Sequence, residues 1–267
     1  MTWTTRLRSE GAGGLAVWRE GRGAPLVLIH GVGLRAEAWA GMMPKLSARF
    51  DVHAVDMPGH GASVRRGERG LEAFVDRFAA YLSALNTPIF LAGHSMGAMI
   101  ALKLGARMPQ SVAGVAALNG IHRRSAEAAE AVKARAALLD GKTIADPVVP
   151  LERWFRTHPE GPSASAAEAC RTWLTECDPA GYAVAYEAFA NADGPSDQTL
   201  ANLTCPCLFL TGTKDLNSTP AMSLEMAART SQGRAEIFET AAHMLPMTHA
   251  EDAADIILNT FKVAHDA

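Results

Sequence analysis

The chain has 267 residues, of which 48% are hydrophobic and 20% charged, enough to bury a full core with no compositional sign of disorder. A formal charge of -3 leaves no electrostatic footprint for nucleic acid, and no apolar run reaches the length of a membrane span. The first residues lack the apolar stretch of a secretory leader, and the four cysteines form no disulfide framework, so a reduced cytoplasmic protein is expected.

Thr4–Arg8 and Gly14–Arg19 alternate weakly and are read as an opening antiparallel hairpin. Leu26-Val27-Leu28-Ile29 is a continuous apolar run, the pattern of a strand buried on both faces, and it ends in His30-Gly31-Val32-Gly33. A helical stretch over Glu37–Ser47 is split by Pro44, and the strand Phe50–Val55 stops at Asp56-Met57-Pro58-Gly59-His60-Gly61. Leu71–Leu85 carries Phe74, Val75, Phe78, Tyr81 and Leu82 at helical spacing. The strand Pro88–Ala92 runs into Gly93-His94-Ser95-Met96-Gly97, then a helix over Met96–Arg107, then the strand Val112–Leu118. This alternation predicts a mostly parallel sheet with helices on both faces.

From Ile121 to about Gln198 no strand is read. Helical pieces at Ser125–Leu139, Leu151–Arg156, Ser163–Glu176 and Pro179–Asn191 predict an inserted helical cap over residues 121–198. The core then comprises 1–120 and 199–267, resuming with Cys207–Gly212, a helix at Met222–Arg229, the strand Ala235–Phe238 and a last helix ending near Phe261. Cys205-Pro206-Cys207 is read with its two thiols on opposite faces of a strand, and neither a disulfide nor a shared metal is expected there.

Ser95 lies between two glycines at a strand-to-helix turn, the nucleophile-elbow pattern. A nucleophilic serine needs a base and an acid, and in this pattern they follow in the order Ser, Asp, His. Thr211-Gly212-Thr213-Lys214-Asp215 puts Asp215 just past the carboxyl end of a late strand, where open α/β sheets place their sites. An earlier place for the acid is occupied by Asn119, which cannot carry the charge. His243 follows the last strand. His249 is the other candidate base, but Thr248-His249-Ala250-Glu251 reads as a capping box, which makes His249 structural. Two backbone donors are needed for the oxyanion: the N–H of Met96, after the nucleophile, and that of Val32, in the glycine-rich loop.

Together these segments resemble the α/β-hydrolase superfamily, specifically its esterase and lactonase branch with a helical cap. The resemblance runs from about residue 25 to residue 243, over His30–Gly33, Asp56–Gly61, Gly93–Gly97, Gly212–Asp215 and His243. It implies that Asp56–Gly61, His60 included, is a structural turn. The chain departs from many relatives at Thr248 and Ala250, where Glu and Pro often stand. Serine at position 95 excludes the branches with an aspartate nucleophile.

The expected activity is hydrolysis of a small, largely apolar carboxylic ester or lactone through an acyl-enzyme on Ser95, with no cofactor or metal. Thioester and carbon–carbon bond hydrolysis use the same three residues. Leu34, His94, Leu216, Met244 and Trp154 are the candidate substrate contacts, while most other large cap residues, such as Phe155, Trp173, Tyr182, Tyr186 and Phe189, are expected in the core. Arg65–Arg69 reads as a solvated loop that could meet an anionic substrate at the site mouth.

Two readings from other classes compete. One is a ligand-binding protein on the same scaffold. The other is a dinucleotide-binding oxidoreductase, because Gly31-Val32-Gly33-Leu34-Arg35-Ala36 matches a dinucleotide fingerprint and Asp56 ends the next strand about where a ribose-binding acid belongs. Pro44 and the turn after Asp56 count against the latter. Gly141-Lys142-Thr143 resembles the end of a phosphate loop, but Ala136 stands where its first glycine belongs.

Overall fold

A computed structural model describes residues 3–156 and 159–261. Eight strands form one sheet: β1 (Ser9–Gly11), β2 (Leu15–Gly21), β3 (Pro25–Ile29), β4 (Asp51–Val55), β5 (Ile89–His94), β6 (Val112–Leu118), β7 (Cys207–Gly212) and β8 (Gly233–Phe238). Their spatial order is β1-β2-β4-β3-β5-β6-β7-β8. β1, β2 and β4 pair antiparallel, and every pairing from β4 through β8 is parallel. The apolar run of β3 lies in the middle, with both faces covered. Leu26 and Leu28 pack on one side with Trp39 and Ile257, while Val27 and Ile29 pack on the other with Phe78 and Ile100.

The helices are α1 (Met43–Leu46), α2 (Gly70–Leu82), α3 (Met96–Arg107), α4 (Ala126–Ala137), α5 (Val148–Phe155), α6 (Pro162–Glu176), α7 (Pro179–Ala190), α8 (Asp197–Ala201), α9 (Pro220–Ala228), α10 (Leu245–Thr248) and α11 (Ala250–Thr260). α2 and α3 cover one face of the sheet, and α1 and α11 the other. The described chain between β6 and β7 contains only helices and loops, α4 to α8.

The opening hairpin differs from the expected one. β1 is Ser9–Gly11, not Thr4–Arg8, and the register Gly11↔Leu15 is closed by a tight turn with Gly13 and Gly14 at φ of 74° and 68°. Arg8 is drawn out of any strand by two buried carboxylates: its guanidinium pairs with Glu37 at 2.7 Å and Asp56 at 2.9 Å. The opposite-face expectation for Cys205 fails, because residues two apart on a strand share a face, and Cys205 in any case lies before β7. Both its thiol and that of Cys207 are free, and the Cys207 thiol donates to the Cys205 carbonyl at 3.3 Å.

Candidate active site

β5 carries the chain to the sheet's carboxyl end and turns directly into α3. Ser95 sits at the turn with φ 55° and ψ -115°, a conformation few non-glycine residues adopt. The turn is possible because its neighbours have no side chains. A Cβ on Gly93 would lie 2.1 Å from the Gly97 carbonyl oxygen, and one on Gly97 would lie 2.0 Å from that of Ile29. The turn is tied down by the Ser95 N–H, which donates to Leu118 O at 2.9 Å.

Three loops bring the other expected residues to Ser95. His243 Nε2 is 3.2 Å from Ser95 Oγ, and His243 Nδ1 is 2.8 Å from Asp215 Oδ2. With Nδ1–H donating to the carboxylate, Nε2 is left to accept the serine proton. All three are buried, at 8%, 4% and 2% exposure for Ser95, His243 and Asp215. Asp215 Oδ1 accepts the N–H groups of Asn217 and Ser218 at 2.8 and 3.1 Å. Burial pushes the Asp215 carboxyl up, but the charge and hydrogen bond of His243, with these backbone donors, outweigh it and hold the group below its ordinary range.

Opposite Ser95 stands the loop after β3. His30 Nε2 accepts the Met57 N–H at 2.9 Å, so its Nδ1–H donates to Gly31 O at 2.7 Å. His60 Nε2 accepts the Gly33 N–H at 3.0 Å. The loop is therefore pinned on both sides of Val32. Among the described residues neither the Val32 N–H nor the Met96 N–H donates to a protein acceptor. Asp56, which the dinucleotide reading assigned to a ribose, is fully buried. It accepts the Ala36 and Ala62 N–H groups besides Arg8, and only a short turn, Ala36–Trp39, follows the glycines.

A cavity of about 670 Å³ opens over Ser95. Of the candidate substrate contacts, Leu34, His94, Leu216 and Trp154 line it, and the Trp154 ring stacks over the His243 ring at 6.5 Å and 30°. Met244 does not. It is buried in the core beneath the His243 loop and reaches a neighbouring pocket instead, because the chain turns into α10 directly after it. His94 does more than line the wall, since its Nε2–H donates to the His243 carbonyl at 2.8 Å. Burial, then the charge of His243, push its pKa down to about 3.

Tyr186 and Phe189 also face the cavity, Tyr182 belongs to the buried core and reaches the cavity as well, and Phe155 and Trp173 are core. The Arg65–Arg69 loop lies elsewhere: Arg65 lines a separate pocket and faces Asp178 at 3.6 Å. The capping box does not form. A helical turn already starts at Leu245, so the Thr248 hydroxyl donates back to Met244 O at 3.1 Å and accepts from His249 Nδ1 at 2.9 Å. His249 is held away from Ser95 by Thr240, whose hydroxyl meets Nε2 at 2.9 Å.

Sequence reading missed three arginines of the cavity wall. Arg124 is committed to structure: it donates to Ala192 O at 2.6 Å, lies 4.4 Å over the Phe189 ring, and is pushed by burial down to about 10. Arg135, on α4, donates to the Tyr186 hydroxyl at 3.1 Å, and Arg153, on α5, donates to Asn217 Oδ1. Neither has a carboxylate within 4.0 Å among the described residues. Burial, then the charge of Arg135, lower the Arg153 pKa. Glu127 and Asp146 also line the cavity, both exposed at its rim. No helix among the described residues is long and apolar enough to cross a membrane.

Residues 26–256 match the model of the alpha/beta hydrolase family. The chain is 39% identical over 236 residues, 88% of its length and 89% of the relative's, to (E)-2-((N-methylformamido)methylene)succinate hydrolase of Acinetobacter baylyi. It is 28% identical over 245 residues, 87% of its length and 96% of the relative's, to the pimeloyl-[acyl-carrier protein] methyl ester esterase of Aromatoleum aromaticum. Among solved structures it resembles a thermophilic esterase from Thermogutta terrifontis with malate bound, at a TM-score of 0.80 and 26% identity, over 96% of this chain and 97% of that one. With a mostly parallel eight-stranded sheet, a serine at the strand-to-helix turn and these relatives, the chain is a hydrolase and belongs to the alpha/beta hydrolase family.

Proposed function

We propose that the chain hydrolyses a small carboxylic ester or lactone through an acyl-enzyme on Ser95. The observation that carries this reading is the unbroken chain of contacts from Ser95 Oγ through His243 to Asp215 at 3.2 and 2.8 Å, at the floor of a cavity. His243 Nε2 takes the serine proton as Oγ attacks the carbonyl carbon, and Asp215 holds the resulting imidazolium. The N–H groups of Val32 and Met96 receive the oxyanion, each contributing roughly 2.7–4 kcal/mol to the transition state. The tetrahedral intermediate collapses as His243 passes the proton to the leaving oxygen. Water then attacks the acyl-enzyme, gives its proton to His243, and releases the acid and free Ser95.

Arg135 and Arg153 refine the expectation of a largely apolar substrate. Two guanidinium groups without carboxylate partners, pressed into one cavity, favour a substrate that brings its own carboxylate. The relatives support this: the Acinetobacter enzyme is named for a succinate and the Thermogutta esterase holds malate, both dicarboxylates. The same name, carrying an N-acyl group, supports a second reading in which the bond broken joins acyl carbon to nitrogen. The segment 121–198 acts as the cap, because α4, α5 and α7 supply the cavity roof. The four free thiols favour a reducing, cytoplasmic setting.

The test is a panel of esters, lactones, thioesters and N-acyl enamines, each with and without a carboxylate, turned over by the wild type and Ser95→Ala. Serine-dependent turnover with preference for the carboxylated member of each pair supports the reading. A wild type inactive on the whole panel, as for a purely binding protein, or a Ser95→Ala variant at wild-type rate, refutes it.

A further inference from the structure

Asn119 stands at the end of β6, where its side chain cannot serve as the acid. Its backbone explains an asparagine only in part. With φ at 51°, the position favours asparagine or glycine. The N–H donates to Leu210 O at 2.7 Å, and the carbonyl accepts the Ser218 hydroxyl at 2.6 Å. Glycine would satisfy all of this.

The side chain does something else. Its Nδ2 donates to Asp215 Oδ2 at 2.8 Å, the same oxygen that accepts the His243 Nδ1–H, and lies 3.2 Å from Ala242 O, one residue before His243. Both neighbours are acceptors, so only the amide nitrogen can face them. This leaves Asn119 Oδ1 buried with no partner among the described residues, a cost that glycine would not carry. A side chain kept at such a cost, with one amide group spanning the acid and the histidine loop, is placed to set their geometry.

We propose that Asn119 is a positioning residue for the acid–base pair, resting on the reading of Ser95, His243 and Asp215 given above. Its amide holds Asp215 Oδ2 in line with His243 Nδ1 and shares the charge of the carboxylate. The other groups facing His243 are His94, which donates to its carbonyl, the Trp154 ring, and Arg153 on the cavity wall, whose charge reaches Asp215. None of these contacts Asp215 Oδ2 within hydrogen-bond distance, so removal of the amide is not made good locally.

The experiment is the pH profile of kcat and KM for Asn119→Gly and Asn119→Asp on an ester the wild type turns over, with Ser95→Ala as control and thermal unfolding as the check on folding. Asn119→Gly keeps the left-handed backbone and deletes the amide. It is expected to lose about tenfold or more in kcat, the effect of a hydrogen bond to a charged group, with KM within about twofold. Its acid limb should move to higher pH, because a carboxylate that no longer shares its charge holds the imidazolium more tightly. Asn119→Asp keeps the shape. While the introduced carboxyl shares a proton with Asp215 it donates as the amide does, and when that proton leaves, activity falls in an alkaline limb that the wild type lacks. A purely conformational role moves neither limb. Wild-type kcat and acid limb in Asn119→Gly overturn the proposal, as does Asn119→Asp without the new limb should the glycine variant not fold. Wild-type turnover in Ser95→Ala instead strikes the underlying reading.

Discussion

Gly97→Ala tests how closely α3 must approach β3. A Cβ at position 97 would meet Ile29 O at 2.0 Å, Ile29 C at 2.7 Å and His30 O at 2.7 Å. All three are backbone atoms of a central strand and its end, so no flexible side chain can yield. Restoring a 3.0 Å contact requires the start of α3 to retreat by about 1 Å, the difference between 3.0 and 2.0 Å. The Met96 N–H, one residue earlier, retreats with it. An ångström of misplacement at a reacting centre costs about a hundredfold, and full loss of one oxyanion donor about 100- to 1000-fold. The variant should therefore keep a wild-type circular dichroism spectrum, lose about 1–3 kcal/mol of stability to overpacking, and fall about 100-fold or more in kcat. Steady-state kinetics on a Ser95-dependent ester, with thermal unfolding of the same sample, read both. A variant within about threefold of wild type in kcat would refute the assignment of Met96 to the oxyanion.

Arg135→Gln and Arg153→Gln should each lower kcat/KM for a carboxylated substrate by about 10- to 100-fold while leaving its neutral analogue within about threefold, since a charge-assisted bond is lost only for the former. Equal losses on both would assign the arginines to structure. Asp215→Asn should cost about 10⁴ in kcat, because an amide facing His243 no longer fixes the productive tautomer or holds its positive form; a loss under about tenfold would remove Asp215 from the mechanism. His30, His60 and His94 are held below the ordinary imidazole value chiefly by burial, so the unfolded chain binds more protons than the folded one as pH falls below about 6.5. Stability is whole above that value and is lost below it, by up to about 1.4 kcal/mol per pH unit for each histidine. The three act in the same direction, so the unfolding temperature should fall as pH drops below about 6.5; one that stays flat from pH 7 to pH 4 would contradict it.

What could be read from the chain depended on how local the signal was. β3 and β5 announce themselves as unbroken apolar runs, and Gly93-His94-Ser95-Met96-Gly97 states its own geometry, because each glycine is required by the turn itself. Thr248-His249-Ala250-Glu251 carried an equally local signal that lost to its context, since the turn at Leu245–Thr248 had already engaged the threonine hydroxyl. Arg8 shows the same override, drawn from a weakly alternating segment to two buried carboxylates dozens of residues away. Arg135 and Arg153 were beyond reach for a different reason. On an alanine-rich helix and a short amphipathic one nothing in their spacing sets them apart from surface charges, and only the approach of α4 and α5 brings them to one cavity. Asn119 could be read only as a position without an acid. That its amide lands on the acid from another loop is a property of the packed sheet end.

The role of Ser95 is most directly tested by rapid-quench mass spectrometry during turnover of a carboxylated ester. An acyl adduct on the peptide carrying Ser95, forming and decaying as fast as turnover and absent from Ser95→Ala, is the expected result. Turnover that continues in Ser95→Ala, or an adduct on another residue, would contradict it.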